Sequence, residues 1–381
     1  MGFPWFGKKS VSISSDFDNG NIKVVDDRDP GDIRLEIEPD GAAAFHQYFN
    51  FRVENARGKP LVMRMFNAGT ASYLAGWENY NAVASYDGED WFRVPTHYAD
   101  GVLTIEHTPE QNSIQYAYFA AYPSSRFRAF VDQFHKSSGM SRKTLGKTLD
   151  GQAIEYFQAG DGPLQFWVIA RQHPGETMGS WWIEGFLPAL ADKNNAAAQS
   201  LRKAATVHIV PCMNLDGAAR GHLRTNAAGI DLNRAWRNTT MEQSPEVFLV
   251  REEMRKTGVD LFLDVHGDEA IPNNFLVSAH GIPSWSDVHQ ARFDKFSSLL
   301  LERSKDFQTK DGYPLSPPGK ANLDIANNYV AETWGCLSMT LEMPFKDANV
   351  NPAPETGWSP ERCRSFAREH LDVMAAITGE L

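Results

Sequence analysis

"LQFWVIARQHPGETMGSWW", Leu164 to Trp182, joins an apolar run to a turn that carries a histidine and a carboxylate. The run from Leu164 to Ala170 has strand length and no polar alternation, as a strand covered on both faces requires. It stops at Arg171, and His173, Pro174, Gly175 and Glu176 follow before the helix-like "GSWWIEGFLPALAD". Further out lie "IEYFQAG", "TVHIVP" and "LFLDVHG", strand-like runs that alternate with helical stretches. Such alternation predicts an α/β domain with a mostly parallel or mixed sheet flanked by helices. Sites in these sheets gather beyond the carboxyl ends of the strands, which is where the histidine and the glutamate stand.

Upstream the pattern differs. Between about residues 20 and 135, "FNFRV", "LVMRMFN", "GVLTIEH" and "IQYAYFAAY" are separated by turn chemistry such as Arg57-Gly58-Lys59-Pro60, Asp87-Gly88 and Asp100-Gly101. This spacing predicts an antiparallel β-sandwich over 1–137, joined by the polar "KSSGM" to an α/β domain over 138–381. Trp77, Tyr80 and Trp91 lie near turns there and are read either as core or as an aromatic platform for carbohydrate.

A chain of 381 residues, 42% hydrophobic and 22% charged, is long enough for two cores and too apolar for disorder. The net charge of -11 argues against non-specific binding to nucleic acid or anionic membrane, both of which need a basic face. No apolar run approaches the roughly 18 residues of a membrane span. "MGFPWFGKKS" reads as neither a signal peptide nor a myristoylation site, since Phe6 stands where Ser or Thr is wanted. Cys212, Cys336 and Cys363 are far apart and odd in number, which suits a reducing compartment. A cytoplasmic protein is expected.

His173 and Glu176 are three residues apart across a turn, so both can reach one cation. Mixed nitrogen and oxygen donors suit zinc, and a catalytic zinc takes three protein ligands and leaves a fourth position open. The third ligand is expected to be His266 in "LFLDVHGDE", at the end of another apolar strand and on the same rim. His208, inside "TVHIV", reads as a sheet-face residue, and His222 as a loop competitor. The loop "NLDGAARGHLRTNAAGIDLNRAW" concentrates Arg220, Arg224 and Arg234 beside Asn214 and Asn233. Arginine forks of this kind match a carboxylate, unless they pair with local acids. Glu342 lies within the apolar "LSMTLEMPF", where a carboxylate is costly unless it is paired or used as a general base.

Taken in order, "HPGE", "NLDG…R…GIDLNR", "DVHGDE" and "TLEMPF" resemble the zinc metallocarboxypeptidases of the funnelin type. The likeness is to the cytosolic carboxypeptidase subfamily with its bacterial members, and it covers nearly the whole chain. It implies one Zn2+ per chain on His173, Glu176 and His266, with Arg224 polarising the scissile carbonyl. It further implies that Asn233 and Arg234 grip the substrate's terminal carboxylate and that Glu342 serves as base and acid. A capping tyrosine is implied, for which Tyr313 and Tyr329 both stand as candidates, Tyr313 favoured. Lys320 in "PPGKAN" resembles a specificity-pocket cation that would favour C-terminal glutamate or aspartate. The implied partner is the C-terminus of a peptide or protein, and a homo-oligomer is compatible with the sequence. The competing readings are a zinc amidohydrolase acting on an acylated amino acid or cell-wall peptide, and a binding protein that has kept only the fold.

Overall fold

The computed structural model describes residues 11–381, so the reading of the first ten residues lies outside it. Short strands run from Ser12 to Ala117: β1 (Ser12–Ser14), β2 (Lys23–Asp26), β3 (Ile33–Glu36), β4 (Asn50–Glu54), β5 (Leu61–Met65), β6 (Val83–Ser85), β7 (Trp91–Arg93), β8 (Thr96–Ala99), β9 (Val102–His107) and β10 (Ser113–Ala117). They form two five-stranded sheets, β1-β4-β10-β6-β7 and β2-β3-β5-β9-β8. Alternation in the sequence explains the sandwich. Ile33, Leu35, Met63, Met65, Leu103 and Ile105 point inward from one sheet, and Phe51, Val53, Ile114 and Tyr116 from the other, all buried. One pair departs from the antiparallel expectation: β3 and β5 run parallel.

The run expected to be a strand to residue 122 ends at Ala117, and helix α1 (Ser124–Ser138) follows Pro123. Its stripe of Phe127, Val131 and Phe134 packs inward, and Gly139, at φ 65°, closes it in the left-handed region. The polar "KSSGM" read as a joint is therefore a helix end.

The second half comprises β11 (Ser141–Lys147), β12 (Ala153–Ala159), β13 (Leu164–Ala170), α2 (Met178–Ala191), α3 (Ala196–Ala204), β14 (Ala205–Val210), α4 (Leu215–Ala219), α5 (Pro245–Thr257), β15 (Leu261–Asp268), β16 (Phe275–Ser278), α6 (Asp287–Arg303), α7 (Ala326–Trp334), β17 (Leu337–Pro344) and α8 (Pro360–Ile377). The sheet order is β11-β12-β14-β13-β15-β17-β16, with β14, β13, β15 and β17 parallel and the outer strands antiparallel. Side-chain alternation along β13 divides the core. Phe166 and Val168 join the layer that holds Trp181, Phe186 and Leu371 from α2 and α8, whereas Trp167 and Ile169 join Val247, Val250 and Val330 from α5 and α7. No helix among the described residues is long and apolar enough to cross a membrane.

The halves share one apolar interior. Tyr118, just past β10, stacks on Phe345 at 4.4 Å and 25°. The Arg93 guanidinium donates to the carbonyls of Thr356 and Trp358, and buried Lys346 donates to the carbonyls of Ala75 and Ala270. Trp77, Tyr80 and Trp91 are buried in this interior. The core reading of these rings therefore holds over the alternative of a carbohydrate platform, because they present no face to solvent.

Candidate active site

The candidate metal-binding group follows from strand register. β13 and β15 are parallel neighbours, with Ala170 opposite Val265, and in the next pairing His266 stands opposite Glu342 of β17. Beyond Ala170 the chain turns sharply at buried Arg171, whose φ of 58° is unusual for a residue with a side chain. Its guanidinium braces the turn by donating to Pro174 O and Tyr122 O. Gly175 is required next to it, since a Cβ there would lie 2.8 Å from Leu223 O.

This geometry brings His173, Glu176 and His266 together, with ligand atoms all within 4.8 Å of one another. His173 Nε2 lies 3.1 Å from Asp231 Oδ1, and His266 Nε2 lies 2.8 Å from Asp264 Oδ2. Each carboxylate holds the ring proton on Nε2, so both Nδ1 lone pairs face inward. There the two Nδ1 atoms are 3.1 Å apart, and Glu176 lies 2.6 Å from one and 2.8 Å from the other. Converging acceptors in a buried site repel unless a cation lies among them. The donor set, two imidazoles and a carboxylate, fits zinc.

Around this group lies a cavity of about 880 Å³, lined by His173, Glu176, Arg224, Asn233, Arg234 and Glu342, with Tyr73 of the sandwich and Tyr313 on its walls. Arg224 donates through Nε to Asp231 Oδ2 at 2.7 Å. Asn233 accepts from Ala326 N at 2.8 Å, and Arg234 donates to Asn233 O. Glu342 is buried, and its Oε2 has no hydrogen-bond partner among the described residues. Among the described residues no arginine pairs with it, against the salt-bridge alternative. Burial pushes its carboxyl well above the usual range; His266 opposes the shift, and Glu176, Asp268 and Glu269 add to it.

Tyr313 donates to Asp268 Oδ2 at 2.5 Å. Tyr329, the other candidate, instead packs against Trp236 and under the Arg251 guanidinium, away from the cavity. Lys320 is exposed, in a turn closed by its N–H on Pro317 O, and is not on the cavity wall. Arg220 pairs with Asp150 on the surface, and Asn214 caps α4. His208 is held between Tyr156 and Gln165, and His222 accepts from Gly41 N, so neither reaches the metal group. Reading the sequence missed Asp231, Asp264 and Tyr73. Asp264 alone left a trace there: it precedes His266 by two in an apolar strand, hence on the same face.

The chain resembles known proteins over most of its length. Residues 127–355 match the model of the zinc carboxypeptidase family, and 13–119 match that of the cytosolic carboxypeptidase N-terminal domain. The chain belongs to the zinc carboxypeptidase family. As a zinc carboxypeptidase family member it is a peptidase. It is 45% identical to an uncharacterized protein of Zymomonas mobilis over 98% of each chain. It superposes with a TM-score of 0.95 on a metallo-carboxypeptidase from Pseudomonas aeruginosa in complex with (2-guanidinoethylmercapto)succinic acid, at 43% identity over 97% of this chain and 99% of that one. Mouse cytosolic carboxypeptidase 6 is 24% identical over 79% of this chain, which spans 60% of that protein.

Proposed function

We propose that the protein removes the C-terminal residue of a peptide or protein, using zinc held by His173, Glu176 and His266. The observation that carries the reading is the convergence of those three acceptors beside Glu342, which the β15/β17 register places opposite His266. A zinc ion held there would supply Lewis acidity toward the carbonyl and the attacking water. Glu342 takes the proton from that water and passes it to the leaving amine. Arg224 stabilises the charge that develops on the carbonyl oxygen, and Asn233 with Arg234 holds the terminal carboxylate. Tyr313 closes over the bound residue. Both a peptide C-terminus and an acylated amino acid present the carboxylate this clamp would hold, and it is membership of the zinc carboxypeptidase family that favours the peptidase. The relatives named cytosolic carboxypeptidases support a cytoplasmic location.

For the released side chain, Lys310 on the cavity wall supplies the positive charge expected of Lys320. On that ground the proposed preference is for C-terminal glutamate or aspartate. Basic residues form the second reading, favoured by Asp294 and Asp311 on the same wall and by the guanidino group of the ligand named with the Pseudomonas protein.

The test uses acidic, aromatic and basic C-terminal peptides, with acylated amino acids alongside. Chelation should abolish release and zinc restore it. Glu342→Gln should lower kcat by about a hundredfold or more while leaving the metal bound. A Glu342→Gln protein with substantial turnover overturns the assigned role, and equal or better cleavage of basic peptides overturns the acidic preference.

A further inference from the structure

The loop that carries Arg224 is held from the other half of the molecule. Asp40 lies between β3 and β4 of the sandwich and is only 1% exposed. Its Oδ1 accepts from Leu223 N at 2.6 Å, and its Oδ2 accepts from Arg224 N at 2.9 Å, Thr225 N at 2.8 Å and Thr225 Oγ1 at 2.9 Å. One carboxylate thus engages three consecutive backbone N–H groups centred on Arg224, as charge-assisted bonds of well-defined direction.

Neighbouring contacts act on the same loop. Gly41 N donates to His222 Nε2 at 3.0 Å, and His222 Nδ1 lies 3.1 Å from Thr225 O. The rings of Phe45 and Tyr73, both from the sandwich, lie 5.7 Å from the Arg224 guanidinium carbon. Asp231 takes Nε of the same guanidinium. The terminal nitrogens make no hydrogen bond within the described residues, and Arg224 lines the cavity. Leu223 O in turn accepts from Gly175 N at 2.9 Å, which extends the support to the turn bearing His173 and Glu176.

We propose that Asp40 is a positioning residue for Arg224, so that the sandwich supplies part of the catalytic apparatus. The inference rests on the reading of Arg224 as the group that stabilises the carbonyl oxygen. Asp40 touches no substrate; it sets the backbone from which the guanidinium projects, while Phe45 and Tyr73 restrict the side chain. Displacement of a charge-stabilising group by about an ångström is enough to lower turnover a hundredfold, whereas substrate binding through Asn233 and Arg234 does not depend on it.

The test is a double-mutant cycle on the full-length metal-loaded protein, using Asp40→Asn, Arg224→Ala and both together. An asparagine keeps the shape but replaces one acceptor oxygen with a donor facing N–H groups. Expected for Asp40→Asn is full metal content and a kcat lower by about tenfold to a hundredfold, with KM changed less than about twofold. In the Arg224→Ala background the same substitution should change kcat by less than about twofold. An unchanged kcat, or an equal loss in both backgrounds, overturns the proposal. Wild-type turnover by Arg224→Ala alone overturns the reading of Arg224 itself, whatever Asp40→Asn does. If Asp40→Asn does not fold, Phe45→Leu enters the same cycle: a loss of kcat present with Arg224 and absent without it supports the proposal, and any other pattern overturns it.

Discussion

Asp231 shows how much one carboxylate decides at the scale of single residues. One of its oxygens faces His173 Nε2 and the other receives Arg224 Nε. It therefore fixes the tautomer of a proposed zinc ligand and the direction of a cation together. Asp231→Asn keeps the volume but leaves one of those partners facing an amide, so metal affinity should drop about 10- to 100-fold. Competition with a chelator measures this directly, and an unchanged affinity counts against the assignment. His173, Glu176 and Glu342 were readable from the sequence because each breaks a local rule, a polar group at a strand end or inside an apolar run. Asp231 breaks none: within "GIDLNR" it looks like any loop cap, and it does cap the turn at Asn233. Lys320 failed for the opposite reason. A lysine's position says nothing of which wall it faces until the loop around it is folded.

Between elements, α2 and α8 cross in close contact. Gly185 sits against the backbone of Arg364, where a Cβ would come within 2.5 Å of its Cα. Beside this crossing, His370 of α8 is fully buried against Phe366 and Trp182, donates to Phe366 O, and has no partner for Nε2 among the described residues. Burial pushes its pKa down to about 4. In the unfolded chain a histidine titrates near 6.5, so the unfolded state binds the extra proton first. The stability from keeping this ring neutral is thus fully present above about pH 6.5 and is lost as pH falls toward 4, a loss of up to about 3 kcal/mol. His370→Phe should flatten the dependence of Tm on pH in that window, and an unchanged slope would remove His370 as its cause. The helix itself was not foreseen in detail, and neither was α1, whose apolar stripe is too narrow to stand out in "SSRFRAFVDQFHKSS". The four parallel strands were legible because burial on both faces leaves a continuous apolar run. The parallel pairing of β3 and β5 was not, since it is decided by a partner distant in the chain.

For the molecule as a whole, the sequence suggested two units with two cores, and turn chemistry marked the first as a sandwich. It did not reveal that one apolar interior passes through both. Tyr118 on Phe345, Lys346 on Ala75 and Asp40 beneath the Arg224 loop all cross between the halves. Heating should therefore produce a single cooperative transition. Calorimetry that resolves two well-separated ones would contradict this. Deleting residues 1–136 should leave an aggregating, inactive remainder, and unchanged solubility and substrate range would refute the claim.

The stacking of Tyr118 on Phe345 also bears on how such a chain can diversify. A foreign leader grafted ahead of this hydrolase half would leave Phe345 bare, and a foreign hydrolase behind this leader would leave Tyr118 so. Inheritance of the two halves is in that sense linked: a change of size on one side of the seam calls for a compensating change on the other, and recombination within families should respect the pair.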